Sequence, residues 1–247
     1  MLGSCASATL VETHEGPAEL DYQVNSVLQL LVGDDARLEH VRATCEGRLA
    51  LHLGTLLITL GARARFDTFS FVTGGAIVRN QIFAHVAGSG AAAGVRGVSL
   101  LADHQHADVA LAIDHTDVGG ESRALFKSVL DGEARSVFQG KITVRPHAQK
   151  TDAKMMARAL LLSDMAEADC KPELEIFADD VQCGHGSTVG TLDDQLKFYL
   201  MARGIPPKEA EALLIQAFVG EAIDAIEHEG LREALMNAML EWLSARG

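Results

Sequence analysis

One tryptophan and two tyrosines among 247 residues leave almost no flat aromatic surface of the kind that stacks on sugar rings. Basic side chains are also scarce, with Lys+Arg 21 against Asp+Glu 34 and a formal net charge of -13. Nucleic acid and anionic membranes both reward basic patches, so neither is expected as the main partner. No apolar run approaches the ~18 residues of a membrane span, and the first residues, Met1-Leu2-Gly3-Ser4-Cys5-Ala6-Ser7, form neither a basic nor an apolar leader. A soluble, cytoplasmic protein is expected. The four cysteines, Cys5, Cys45, Cys170 and Cys183, include no C-x-x-C pair, which excludes a zinc ribbon and argues against a disulfide framework. A thiol that carries chemistry here does so singly or with a partner chain.

What is present is a globular composition, 48% hydrophobic and 22% charged, arranged in short alternating runs from about Ala8 to Val144. Leu38–Arg42, Phe66–Phe71, Val109–Ile113 and Val137–Val144 alternate apolar with polar residues and read as strands with one buried face. Small residues at Ala36, Ala64, Ala93, Ala107 and Ala134 recur at near multiples of 14, the mark of two short strands per coil stacked repeatedly. An antiparallel sandwich would want several tight hairpin turns, and Asp131-Gly132 is the lone example. A solenoid is therefore favoured. Near Asp193 the period changes from 2 to 3.6. Asp193 and Asp194 can cap a helix through Gln195–Leu200 that stops before Gly204, and Pro206-Pro207 starts a second with the stripe Ala210, Leu213, Leu214, Ala217 and Phe218. A third helix after Gly230 places Leu231, Leu235, Ala238, Met239 and Trp242 on one face. The expected organisation is a β core over residues 1–188 and a small helical domain over residues 189–247. The latter part is the more acidic, since residues 150–247 hold 9 basic and 18 acidic side chains.

Chemistry concentrates in Leu174–Gly190. In an extended segment residues i and i+2 share a side, so Cys183 and His185 present a thiol and an imidazole together. Soft sulfur and borderline nitrogen suit iron, zinc or cuprous copper, but two ligands are not a full shell. The plain alternative is a buried small hydrophobe beside a satisfied loop histidine. A thiol nucleophile with His185 as base lacks an orienting third group. Gly184, Gly186 and Gly190 before a helix resemble a phosphate loop faintly, yet no Lys-Ser/Thr follows, so ATP binding by the chain itself is not expected. Asp179-Asp180 and Asp193-Asp194 allow a carbohydrate-enzyme reading, with solvated acids or a helix cap as the simpler account. His104, His106 and His115 allow a metal site, with surface histidines as the simpler account.

Several ordered segments carry a resemblance: Arg135-Ser-Val-Phe-Gln-Gly-Lys-Ile-Thr-Val144, Ala148–Asp152, Leu160–Ser163, Lys171–Ile176, Ala178–Val181, Cys183-Gly184-His185-Gly186, Thr188–Gly190, Phe198–Leu200 and Arg203–Ile205. Together they resemble the SufB/SufD family of iron–sulfur cluster assembly scaffold proteins, the SufD branch more than the SufB branch. The resemblance implies a right-handed parallel β-helix followed by a C-terminal helical domain. It implies no catalysis by the chain, a heterodimer with SufB, and docking of the ATPase SufC on the helical domain. It further implies a transient iron–sulfur cluster shared with the partner chain, with His185 and its neighbour Cys183 as the ligand candidates and no cofactor held tightly by the isolated chain. A homodimer is expected when the chain is alone. A carbohydrate-active β-helix enzyme and a passive adaptor without a cluster site are the alternatives. Family members carry a further N-terminal, largely helical region, so a shortened homologue or a piece is expected. Met155–Ala159 lacks the asparagines common before the Leu-Leu-Leu run, and Ala202 replaces a common serine.

Overall fold

Alternating strands bury one face only, and a chain that repeats such strands satisfies that face by stacking coil on coil. The computed structural model describes residues 1–246 and has this arrangement. Among the described residues are thirteen strands and three helices. The odd strands are β1 (Ser7–Glu15), β3 (Arg37–Cys45), β5 (Arg65–Val72), β7 (Ala92–Leu101), β9 (Glu121–Leu130), β11 (Asp152–Leu161) and β13 (Gln182–Thr191), and they form one sheet in that order. The even strands β2 (Gln23–Val32), β4 (Leu51–Leu60), β6 (Ile77–Val86), β8 (His106–His115), β10 (Arg135–Val144) and β12 (Glu167–Ile176) form the facing sheet. All pairings are parallel, so the fold is a parallel β-solenoid with two strands per coil.

Register fixes the coil length. Arg37, Arg65, Ala92, Glu121, Asp152 and Gln182 align across the odd sheet, so successive coils take 27 to 31 residues. Ala36 and Ala64 do mark successive buried corners, but their counterpart is Ala91; Ala93 aligns with Phe66. The regular half-step is broken because corners of unequal length join the strands. One column of corners has a recurring device. Cys5, Asp35, Arg63, Gly90, Gly119 and Lys150 all adopt positive φ. Each donates its backbone N–H to the next coil, to the carbonyls of Asp34, Ala62, Ser89, Val118, Gln149 and Asp180 respectively. The left-handed conformation turns the N–H along the solenoid axis, so corners as well as strands are bonded coil to coil.

Inward-facing residues fill the lumen, among them Leu30, Leu56, Phe66, Ile82, Leu111, Phe126, Phe138 and Met155. Phe126 and Phe138 pack with ring centroids 5.0 Å apart. Gly140 is required there, since a Cβ would stand 2.3 Å from Met155 Sδ.

The helices α1 (Asp194–Ala202), α2 (Pro207–Ile223) and α3 (Glu229–Ala245) follow the last strand. Asp193 caps α1 by accepting from the N–H groups of Gln195 and Leu196, as its position implied. The outer face of the odd sheet carries Val41, Phe69, Phe71, Val98, Leu100, Val129 and Leu160, and α2 and α3 lie over it with Ile215, Val219, Ile223, Leu235 and Met239. The helical segment is thus a cover bonded to the solenoid wall. The expected α2 stripe is corrected: Ala210 is buried, but Leu213 and Ala217 are exposed, and the buried face is Ile215, Val219, Ala222 and Ile223. Lys127 ties this cover down from β9, with its side chain 1% exposed and its ammonium bonded to the Phe218 carbonyl and Glu221.

Candidate functional site

The segment that carries Cys183 and His185 is a strand because β11 makes it one. Gln182–Thr191 contains three glycines and little β-propensity, yet it pairs with β11 along its whole length. Gly184, Gly186 and Gly190 lie inside this strand and not in a loop before a helix, so the faint likeness to a phosphate loop has no counterpart in the backbone. A Cβ at Gly186 would stand 2.8 Å from Met156 Cε, the flexible end of a side chain that can move aside, and one at Gly184 or Gly190 would meet nothing within 4 Å.

Register places Cys183 beside Ala153, His185 beside Met155 and Ser187 beside Ala157. All three partners are buried in the lumen, so Cys183 and His185 do share a side, the inward one. β13 is the last strand of its sheet and β12 the last of the other, so the two residues sit at the C-terminal end of the lumen. Cys183 is half-buried against the interior core, and His185 is exposed. The sequence reasoning did not single out Cys170, which stands on β12 beside Phe138 and packs, half-buried, against the same core. Its signal was the alternation Ala168, Cys170, Pro172, Leu174. The last coil therefore directs two thiols and one imidazole inward.

Burial pushes the Cys183 thiol above its ordinary range, the Ala153 backbone hydrogen bond opposes this, and the Asp152 charge adds to it. Burial and Asp169 push Cys170 up as well. Protonated thiols of this kind are poor nucleophiles until a metal displaces the proton, which disfavours the Cys183/His185 nucleophile reading. Within the described residues no third donor joins Cys183 and His185; the one group of three is His14, Glu46 and His52, at the opposite end of the solenoid. Across the outer face of the odd sheet, from β7 to β13 and beside α2, runs a groove of about 540 Å³ lined by Arg96, Arg123, Lys154, Arg158 and Glu221 and reaching Cys183 and His185 at its β13 end. Its cations are braced rather than free, with Arg96 2.7 Å from Asp67 and Arg158 3.1 Å from Glu221.

The other candidates are separated. His106 and His115 are the two ends of β8, roughly 30 Å apart at strand rise, and buried His115 Nε2 lies 2.9 Å from Ser122 Oγ. His104 sits exposed beside Glu133. Asp193 is a helix cap, and Asp180 pairs with Lys150. These placements leave no convergent carboxylate pair for sugar chemistry among them.

Fold and site together define a class: a parallel β-solenoid that ends on strands β12 and β13, with Cys170, Cys183 and His185 gathered on its last coil. The sequence profile of the SufBD core domain of the SUF system for FeS cluster assembly matches residues 1–218, and the chain belongs to that family. It is 32% identical over 95% of its length to the iron–sulfur cluster assembly protein SufD of Escherichia coli (strain K12), covering 56% of that protein. It is also 32% identical over 89% of its length to an iron–sulfur cluster assembly SufBD family protein of Synechocystis, covering 48% of it. A chloroplastic protein of Arabidopsis thaliana, ABCI7, is 29% identical over 87% of the chain. The chain spans about half the length of these curated relatives.

Proposed function

We propose that the chain is a SufD-like scaffold component of Suf iron–sulfur cluster assembly, acting in the cytoplasm without catalysis of its own. In this reading it pairs with SufB, docks the ATPase SufC through its helices, and lends His185, with Cys183 beside it, to a transient cluster shared with SufB. The observation that carries the reading is the placement of Cys183 and His185 on β13, a strand with one free edge, at a site with too few ligands of its own. A free edge can be continued by a strand of a second chain, which would bring the missing ligands and, in the isolated chain, would allow a homodimer. The feature that supports SufC docking is α1, which buries no residue and leaves Leu196, Phe198, Tyr199 and Met201 exposed.

The test is co-purification with SufB and SufC, then anaerobic reconstitution followed by absorption spectroscopy. His185→Ala removes an exposed imidazole and should leave the complex intact by size-exclusion chromatography while lowering cluster content severalfold. Cys183→Ser should be as severe if sulfur is a ligand, and milder if the thiol only packs. Wild-type cluster content in His185→Ala would replace this reading with the passive adaptor. Phe198→Asp, at a side chain free of the core, is expected to abolish SufC capture while leaving SufB pairing unchanged.

A further inference from the structure

Most of the lumen is apolar, but in the first coils one side of it is polar. Glu12 Oε2 lies 2.7 Å from His40 Nε2 and accepts from Arg42 Nε and Nη2 at 3.1 and 3.0 Å. Next to this network His14 on β1, Glu46 in the corner after β3, and His52 on β4 converge. Each offers one ligand atom, and those atoms lie within 4.8 Å of one another. The side chains of His52 and Glu46 are 0% and 2% exposed. Glu46 is held on both oxygens: the Tyr22 hydroxyl donates to Oε2 at 2.5 Å, and His52 Nδ1 lies 3.1 Å from Oε1. The His14 and His52 rings are 4.6 Å apart.

Two of these groups are incompletely satisfied. Nε2 of His14 and Nε2 of His52 are buried with no hydrogen-bond partner, as are Thr44 Oγ1, beside His14 in the next strand, and Asn80 Oδ1. Gly54 makes space for three polar groups at this point: a Cβ there would stand 2.8 Å from Arg42 Nη1, 3.1 Å from Asn80 Oδ1 and 3.2 Å from His52 Nε2. Buried polar atoms are nearly always paired with protein, water or an ion, so a group of orphans gathered at one cluster of ligating side chains marks something that belongs there.

We propose that His14, Glu46 and His52 bind a divalent first-row transition metal ion of the Fe2+ or Zn2+ kind inside the first coils. Two imidazole nitrogens and one carboxylate oxygen form a donor set that both ions accept, with the remaining positions left to water. Ligand atoms around a tetrahedral ion stand roughly 3.3 Å apart, so side-chain shifts of about 1 Å close the set. Charge permits it. Glu12 and Glu46 against Arg42 leave the pocket one net negative charge when the imidazoles are neutral. Tyr22 already orients the carboxylate, as outer partners of metal ligands do. His14, with its side chain 18% exposed, gives the ion a way in. This site is separate from the one at His185 and does not depend on it.

The test is anaerobic titration of the whole chain with Co2+, a coloured stand-in for either ion. One equivalent should bind with visible d–d absorption and be displaced by Zn2+. His14→Ala and Glu46→Gln should each weaken that binding by roughly 100-fold, whereas a chain carrying both Cys183→Ser and His185→Ala should retain it. Because Glu46 is buried and its variant is at risk of misfolding, the unaltered chain supplies a second measurement. Zn2+ should move the ring nitrogen resonances of His14 and His52 and leave those of exposed His104 in place. Failure to bind Co2+ stoichiometrically, binding that survives His14→Ala, or ring signals of His14 and His52 that do not move would each overturn the proposal.

Discussion

His115 shows what a single buried titratable group does in this lumen. Burial lowers its pKa from 6.5 to about 4, with Asp114 opposing the shift. The folded state therefore holds the neutral ring more tightly than the unfolded chain does. Its contribution is fully present above pH 6.5 and is lost as the pH falls through the window down to 4, to the extent of about 3 kcal/mol. Urea midpoints measured across that window should fall with pH, and a His115→Gln chain should show a shallower fall. Lys127 is the complementary case of a buried charge that is paired. Burial lowers its pKa and the Glu221 hydrogen bond raises it, while the same contact lowers the pKa of Glu221. Removing only the acid strands a buried ammonium; replacing the lysine with an apolar chain of similar length strands nothing comparable, since Glu221 is half exposed. Glu221→Ala is expected to cost about 2 to 3 kcal/mol, and Lys127→Met distinctly less, by equilibrium unfolding.

Among the elements, the corner column answers to backbone conformation alone. Gly119 has φ 71°, and a Cβ there would meet nothing closer than 3.9 Å. Gly119→Ala should thus isolate the cost of the left-handed conformation, about 1 to 2 kcal/mol in urea unfolding. Asp35, Arg63 and Lys150 already bear that cost, and Asp35 and Arg63 recover part of it through paired hydrogen bonds of 2.7 and 2.6 Å between their side chains. The strands were legible in the sequence because alternation survives wherever one face meets the lumen, as in Phe66–Phe71 and Val137–Val144. The face of α2 was not. Ala210, Leu213, Leu214, Ile215, Ala217, Phe218 and Val219 surround that helix almost completely, so the helix pattern names no face and the apolar patch on the sheet chooses it. Cys183 and His185 were legible because they lie on one strand, two residues apart. His14, Glu46 and His52 were not, because only the stacking of three separate segments brings them together.

For the molecule as a whole, the helices are a cover that the outer face of the odd sheet needs. Val41, Phe69, Phe71, Val98, Leu100 and Val129 are buried largely by α2 and α3, so deleting residues 204–246 should yield a chain that aggregates or binds a hydrophobic dye. Substitutions on α1 are consequently the cleaner probe of partner docking. The cover also spans coils, since Arg37 on β3 pairs with Glu227, Arg158 on β11 with Glu221, and Arg246 with Asp131. That geometry has a mechanical meaning. Hydrogen bonds between coils run along the long axis, so tension between the chain's ends loads them one after another, as in a zipper. Each coil let go frees 27 to 31 residues, roughly 10 nm of extended chain. The C-terminal helices close the zipper like a clasp, because their ion pairs and apolar contacts join distant coils and are loaded together. An optical trap holding the two termini should therefore record one high-force event as the clasp opens, then a series of low-force steps of one coil each.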